Sequence, residues 1–89
     1  MPALIIRAKY KDYGTFRTAF DGNKANRAAA GLSNERVFRS ADDKNEIVII
    51  MDAKDTKMAK DFAASSGLKE RMKQAGLLDT PTFHFLEST

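Results

Sequence analysis

Four short apolar runs and two longer amphipathic stretches alternate along the chain. The short runs occupy residues 3–10, 34–40 and 46–52, and Pro81 opens the fourth. Short runs enriched in β-branched and aromatic residues are typical of strands. Residues 46–52, EIVIIMD, are the most apolar of these runs. The pattern therefore predicts four strands, of which the third is the most apolar.

Helical spacing of apolar residues marks the two longer stretches. In residues 11–32, three aromatic side chains fall near one face of a helix: Tyr13, Phe16 and Phe20. Asp12 is the candidate N-cap, and Gly31 stands where a left-handed C-cap belongs. In residues 54–76, the sequence Ala-Ser-Ser-Gly predicts a break between two helical segments, with Ser65 or Ser66 as the second cap.

The order of elements, β-α-β-β-α-β, is that of an α+β, ferredoxin-like fold in which residues 1–89 form one domain. Right-handed crossovers place both helical regions on one face of a four-stranded antiparallel sheet. Strands one and three are then central, and strands two and four are edges. The apolar segments LII and IVIIM belong to the two predicted central strands, which agrees with this topology.

The third strand is apolar on both of its faces. Ile47, Ile49 and Met51 share one face, and Val48 and Ile50 share the other. Two helical regions on one side of the sheet cover only one of these faces, whereas an antiparallel sheet with a wet face normally alternates apolar and polar residues. We therefore expect a second copy of the chain to cover the other face, giving a homodimer in which two sheets form an α/β barrel. The alternative is a strand whose second apolar face stays partly exposed.

The only histidine, His84, lies between Phe83 and Phe85 in the last strand. The two phenylalanines suit the helix side, so His84 is expected on the opposite face, together with Arg7 of the neighbouring first strand. Both side chains are candidate catalytic residues. A histidine can act as a general acid or base, although a lone histidine can also be an edge or packing residue. Arg7 could bind the carboxylate of a ligand or pair with an acidic residue of either subunit.

A small apolar or aromatic molecule between the two sheets would contact side chains of this same face. The candidate ligand-binding residues are Ile5, Tyr10, Val48, Ile50 and Leu86. Tyr10 stands at the end of the first strand, where it could line the mouth of the space or complete the core.

Composition excludes several classes of site. The chain has no cysteine and one histidine, so we expect no disulfide, no metal site and no cofactor, and a reducing cytoplasm suits it. No signal peptide or membrane span is predicted. The net charge of +3 comes from cations spread along the chain, and the middles of strands one and three carry no aromatic ring, so a nucleic-acid surface is not expected.

Three segments carry a resemblance to a known family: VFRSADDKNEIVIIMDAKDTKMAKDF, SSGLKERMKQAG and PTFHFLE. The chain from about Tyr10 to Glu87 resembles the antibiotic biosynthesis monooxygenase superfamily of dimeric α/β barrels, in particular its small cyclase-like members of unassigned function. The resemblance implies the fold and the homodimer, and an activity that could be of the cofactor-independent monooxygenase or cyclase type. Haem-degrading relatives use a histidine on a helix, and His84 is on a strand, so haem is not expected.

Three functions remain open at this point. The chain could be a small enzyme acting on an apolar, aromatic or polyketide-like compound. It could bind such a compound without catalysis. It could also be a structural homodimer in which Ile5, Val48, Ile50 and Leu86 fill the barrel.

Overall fold

The computed structural model describes residues 1–89, and its strands and helices follow the predicted order. The elements are β1 (Ala3–Lys9), α1 (Tyr13–Gly22), α2 (Lys24–Ala29), β2 (Leu32–Arg39), β3 (Glu46–Ala53), α3 (Thr56–Ala64), α4 (Ser66–Gln74) and β4 (Thr82–Leu86). No helix is long and apolar enough to cross a membrane.

The four strands form one antiparallel sheet in the order β2-β3-β1-β4. The apolar strands β1 and β3 are therefore central, as predicted, and the ferredoxin-like α+β fold is confirmed. In the register, Ile5 lies between Ile50 of β3 and His84 of β4. This alignment decides which side chains of neighbouring strands share a surface.

The first helical stretch is broken, where the sequence pattern predicted one helix. Helix α1 ends at Gly22 and α2 begins at Lys24, with Asn23 between them. The Asn23 side chain donates a hydrogen bond to the Ala19 carbonyl oxygen at 2.8 Å and accepts one from the Asn26 side-chain amide at 2.9 Å. An asparagine that bonds locally in this way offers the backbone an alternative to a continuous helix.

Side-chain caps begin α1 and α4 where the sequence placed them. The Asp12 carboxylate accepts a hydrogen bond from the Thr15 backbone N–H at 2.9 Å, and Ser65 accepts one from Leu68 N–H at 3.1 Å. The predicted break in the second helical stretch is thus the junction of α3 and α4 at Ser65.

Strand β2 begins at Leu32, two residues before the predicted start. Gly31 has φ +78°, which turns the chain directly from the end of α2 into the strand.

The core lies between the sheet and the helices. Alternate residues of the two central strands are buried there: Leu4, Ile6 and Ala8 of β1, and Ile47, Ile49, Met51 and Ala53 of β3. Phe16 is buried against them, and Phe20, Phe62, Phe83 and Phe85 pack around the same core. The predicted assignment of the aromatic residues to the helix side is confirmed.

Candidate functional site

The sheet surface that faces away from the helices, here called the open face, has an apolar centre. Ile5, Val48 and Ile50 are half-buried in its middle, whereas Phe38 is 52% exposed and Leu86 is 46% exposed. The register places Phe38 beside Val48 and Leu86 beside Ala3. The apolar character predicted for this surface is therefore present, and it continues onto both edge strands.

Arg7 lies on the open face and is held by two carboxylates of its own chain. Its guanidinium donates to Glu46 from Nε at 3.3 Å and from Nη2 at 3.2 Å, and to Asp79 from Nη1 at 3.3 Å. Asp79 also accepts a hydrogen bond from the Lys9 backbone N–H at 3.0 Å. Of the two partners considered for Arg7, an acidic residue of the chain is the one present, and a ligand carboxylate would have to compete with it.

His84 lies on the same face, exposed, opposite Ile5. Arg7 is paired with Thr82, two residues from His84 on β4, so the two candidate catalytic residues are diagonal neighbours. No hydrogen bond joins them, because the guanidinium is directed to Glu46 and Asp79. Their catalytic roles stay predictions.

Tyr10 is separated from the other candidate ligand-binding residues and takes the second of the two places considered for it, the core. Ile5, Val48, Ile50 and Leu86 lie on the open face, whereas Tyr10 is 3% exposed in the core on the helix side. Its ring centroid is 4.6 Å from that of Phe16. The physical reason is strand alternation, since Tyr10 continues the series Leu4, Ile6, Ala8 that faces the helices.

A cleft lies on the helix side of the sheet, where Tyr10 is found. This helix-side cleft has a volume of about 60 Å³ and opens to solvent at its mouth. The central strands provide its floor, and its apolar lining includes Ile6, Tyr10, Phe16, Ala19, Phe20, Ile49, Met51, Phe62, Leu68, Met72 and Ala75. A concave, mostly apolar and aromatic cavity with few polar groups is the usual form of a small-molecule site.

Four polar residues line the helix-side cleft: Asn23, Asn26, Arg27 and Arg71. The two asparagines are bonded to each other at the junction of α1 and α2. Arg27 is buried and donates to the Glu35 carboxylate at 3.0 Å and to the Phe20 carbonyl oxygen at 2.6 Å, while its guanidinium stacks 3.7 Å above the Phe20 ring. Arg27 therefore closes one wall of the cleft with its charge already balanced.

The apolar pattern of the sequence does not predict this cleft. Helical spacing showed that aromatic residues face the sheet, but it could not show that small residues such as Ala19 and Ala75 leave space between them. The alternation along β1 was the available signal, because it places Tyr10 among the helix-side residues rather than on the open face.

Burial raises the pKa of Tyr10 to about 12, and the negative charge of Asp79 acts in the same direction. A pKa above the ordinary value of 10.0 contributes stability that is complete below pH 10 and is lost as the pH rises towards 12. We expect about 2–3 kcal/mol of unfolding free energy to disappear across this window. Urea unfolding at about pH 9 and about pH 11.5 measures the loss.

In the Tyr10→Phe variant this part of the alkaline destabilisation should be absent. Tyr13→Phe is the matched control, because Tyr13 is only half-buried. If both variants keep the full alkaline loss, the Tyr10 hydroxyl is not its source.

The strand order, the helices on one side and the apolar open face define an α+β fold of the ferredoxin-like type. No protein-family model matches the sequence, and no curated protein matches it. Solved structures with this fold do match, and many of them are antibiotic biosynthesis monooxygenase-like proteins. The resemblance noted from the sequence is thus confirmed at the level of the fold.

Three of these structures illustrate the match. An antibiotic biosynthesis monooxygenase-like protein from Bordetella bronchiseptica has a TM-score of 0.80 at 15% identity, over 99% of this chain and 96% of that one. A similar protein from Caulobacter crescentus has a TM-score of 0.75 at 13% identity, over 99% and 89%. SnoaB, a cofactor-independent oxygenase from Streptomyces nogalater, has a TM-score of 0.70 at 17% identity, over 99% and 94%.

Proposed function

We propose that the chain is a homodimeric small-molecule-binding protein that holds a planar, mainly apolar molecule in the helix-side cleft. The observation that supports this most is the cleft itself. Its lining is dominated by aromatic and aliphatic side chains, with a few polar groups. Aromatic walls of this kind suit a flat ring system, since ring faces and edges pack favourably against one another.

The homodimer is supported by the open face. Its apolar centre is surrounded by side chains of both charges, with Arg7 and Arg36 near Glu46 and Asp52. A two-fold symmetric contact requires a surface that complements itself, and a mixed rim around an apolar centre meets that requirement. A second copy of the chain would cover Phe38 and Leu86, which water contacts in a single chain.

The helix-side cleft replaces the space between the sheets as the preferred ligand site. One chain provides the whole lining of the cleft without help from a partner, whereas a space between two sheets depends on how completely the open-face side chains fill the barrel. The filled barrel, considered from the sequence as a structural alternative, is compatible with a ligand on the other side of the sheet.

A second candidate function is cofactor-independent oxygenation of the bound molecule. It is favoured by the structural similarity to SnoaB, which extends over 99% of this chain. The lining residues include no carboxylate and no imidazole, so the molecule would have to ionise easily by itself. Binding without catalysis needs no such condition, and we therefore favour it over oxygenation.

The binding site is tested with N-phenylnaphthylamine, a neutral aromatic probe that fluoresces in apolar surroundings. Ala19→Trp places a large side chain on the half-buried wall of the cleft and should lower the probe affinity at least about 10-fold by occupying its volume. Titration of the fluorescence measures the affinity.

Ala64→Trp is the matched control, because Ala64 is exposed on α3 and does not line the cleft. Val48→Trp tests the alternative location between the sheets. Loss of binding in Val48→Trp with full binding in Ala19→Trp would contradict the cleft and favour the space between the sheets. Absence of binding to the unchanged protein would contradict the proposed function.

A further inference from the structure

Arg71 stands apart from the other arginines of the chain. Each of the other five donates a side-chain hydrogen bond within the chain: Arg7, Arg17, Arg27, Arg36 and Arg39. Arg71 donates none and forms no ion pair, although it is half-buried and lines the helix-side cleft. The guanidinium of a half-buried arginine without an acceptor is an unused set of strong donors.

Arg71 carries the one charge in the cleft lining that no acidic residue balances. Glu35 balances Arg27 at 3.0 Å, and no aspartate or glutamate is among the lining residues. In a wall of apolar side chains the attraction between a cation and an anion is stronger than in water. The cleft should accordingly favour an anionic molecule over a neutral one of the same shape, and disfavour a cation.

Gly67 makes room for the guanidinium at this place. It precedes Arg71 by four residues on α4, and a Cβ atom on Gly67 would lie 3.0 Å from Arg71 Nη1. The Arg71 head thus lies against the bare backbone of the first turn of the helix. Any larger residue at position 67 would displace it, because the end of an arginine side chain moves more easily than a helix backbone.

We propose that Arg71 is the specificity-determining residue of the cleft, and that its ligand is a planar aromatic acid or phenolate whose anionic oxygens pair with the Arg71 guanidinium. This rests on the proposed function, since it assigns a ligand class to the same cleft. A guanidinium and a carboxylate or similar group form charge-assisted hydrogen bonds, often two in parallel. Tyr10 also lines the cleft, and its hydroxyl, which donates no hydrogen bond within the chain, is not fully buried and is available as a further donor.

The test compares two probes of similar ring structure, the anionic anilinonaphthalene sulfonate and the neutral N-phenylnaphthylamine. In Arg71→Met, which keeps the length of the side chain and removes its charge, the affinity for the sulfonate should fall about 10- to 100-fold. The affinity for the neutral probe should change by less than about 2-fold, because the apolar walls are intact. Fluorescence titration at fixed ionic strength measures both.

Two further variants test whether binding needs a positive charge at the Arg71 guanidinium itself or only a positive charge somewhere on α4. Lys69→Met removes an exposed cation of the same helix that does not line the cleft, and it should leave both affinities unchanged. Gly67→Ala keeps Arg71 but displaces its guanidinium, and it should weaken sulfonate binding selectively while leaving the fold intact, since alanine suits a helix better than glycine.

The outcomes distinguish the two proposals. If the unchanged protein binds the neutral probe and its sulfonate affinity does not respond to Arg71→Met, the ligand class is wrong and the cleft stands. The same conclusion follows if Arg71→Met weakens both probes equally, or if Lys69→Met acts as strongly as Arg71→Met. If the neutral probe does not bind at all, the proposed function itself is wrong.

Discussion

Replacement of Arg27 by methionine should lower the free energy of unfolding by about 3 kcal/mol, the largest loss expected of any single polar substitution in this chain. Arg27 is 5% exposed, and its partner Glu35 has a side chain that is 16% exposed. Methionine would fill much of the volume but leave the Glu35 carboxylate without its donor, while the Phe20 carbonyl oxygen would keep only the Asn23 N–H at 3.2 Å. A buried acceptor that loses its partner costs more than the pair itself contributes.

Urea unfolding of Arg27→Met beside Arg17→Met measures this effect. Arg17 pairs with Asp21 on the exposed surface of α1, so its loss should cost less than about 0.5 kcal/mol. Addition of Glu35→Gln to Arg27→Met should recover part of the loss, because the unpaired charge is then gone. Equal stabilities of the Arg27 and Arg17 variants would show that the buried pair is not a main support of the fold.

Replacement of Val48 by lysine should convert the proposed homodimer into monomers. Val48 lies in the middle of the open face, between Phe38 of β2 and Arg7 of β1. In a two-fold contact the two subunits would each place one lysine ammonium group in the apolar centre. Charges in such a place are costly unless they are paired. The dissociation constant should rise at least about 100-fold, which corresponds to about 3 kcal/mol.

Sedimentation velocity over a range of concentrations measures the association. Ala64→Lys adds the same charge at an exposed position of α3 and should leave the dimer unchanged. His84→Ala, on the same face but at the exposed edge strand, should also leave the fold and the dimer nearly intact. A stable monomer in the unchanged protein at high concentration would end the proposal that a second copy covers the open face.

Strand alternation made most of the fold predictable from the sequence. The apolar runs placed β1 and β3 in the centre, and the alternation placed Phe83 and Phe85 under the helices and His84 outside them. The same rule placed Tyr10 on the helix side, yet its position at the end of a strand allowed a second interpretation. The break at Asn23 was missed because the Asn23 side chain competes with the helix backbone for hydrogen bonds. The spacing of apolar residues does not indicate whether such bonds form.

The site was less predictable because it depends on volumes and on pairings between distant residues. The pairing of Arg27 with Glu35 joins the helix α2 to the strand β2, and no periodic pattern indicates it. Likewise, the free guanidinium of Arg71 is recognisable only once the partners of the other arginines are known. Arg7 was a candidate for ligand binding from the sequence. In the structure, however, its guanidinium is already paired with two carboxylates of the chain.

The two central strands carry the cleft floor on one side and the open face on the other, in strictly alternating positions. Insertion or deletion of a single residue in β1 would move Ile6 to the outer surface and Arg7 beneath the helices, because a shift of one position inverts every side chain of a strand. The length of these strands is consequently under a tighter constraint than their composition. Exchanges among isoleucine, valine and leucine preserve both surfaces, whereas one added residue would destroy both at once.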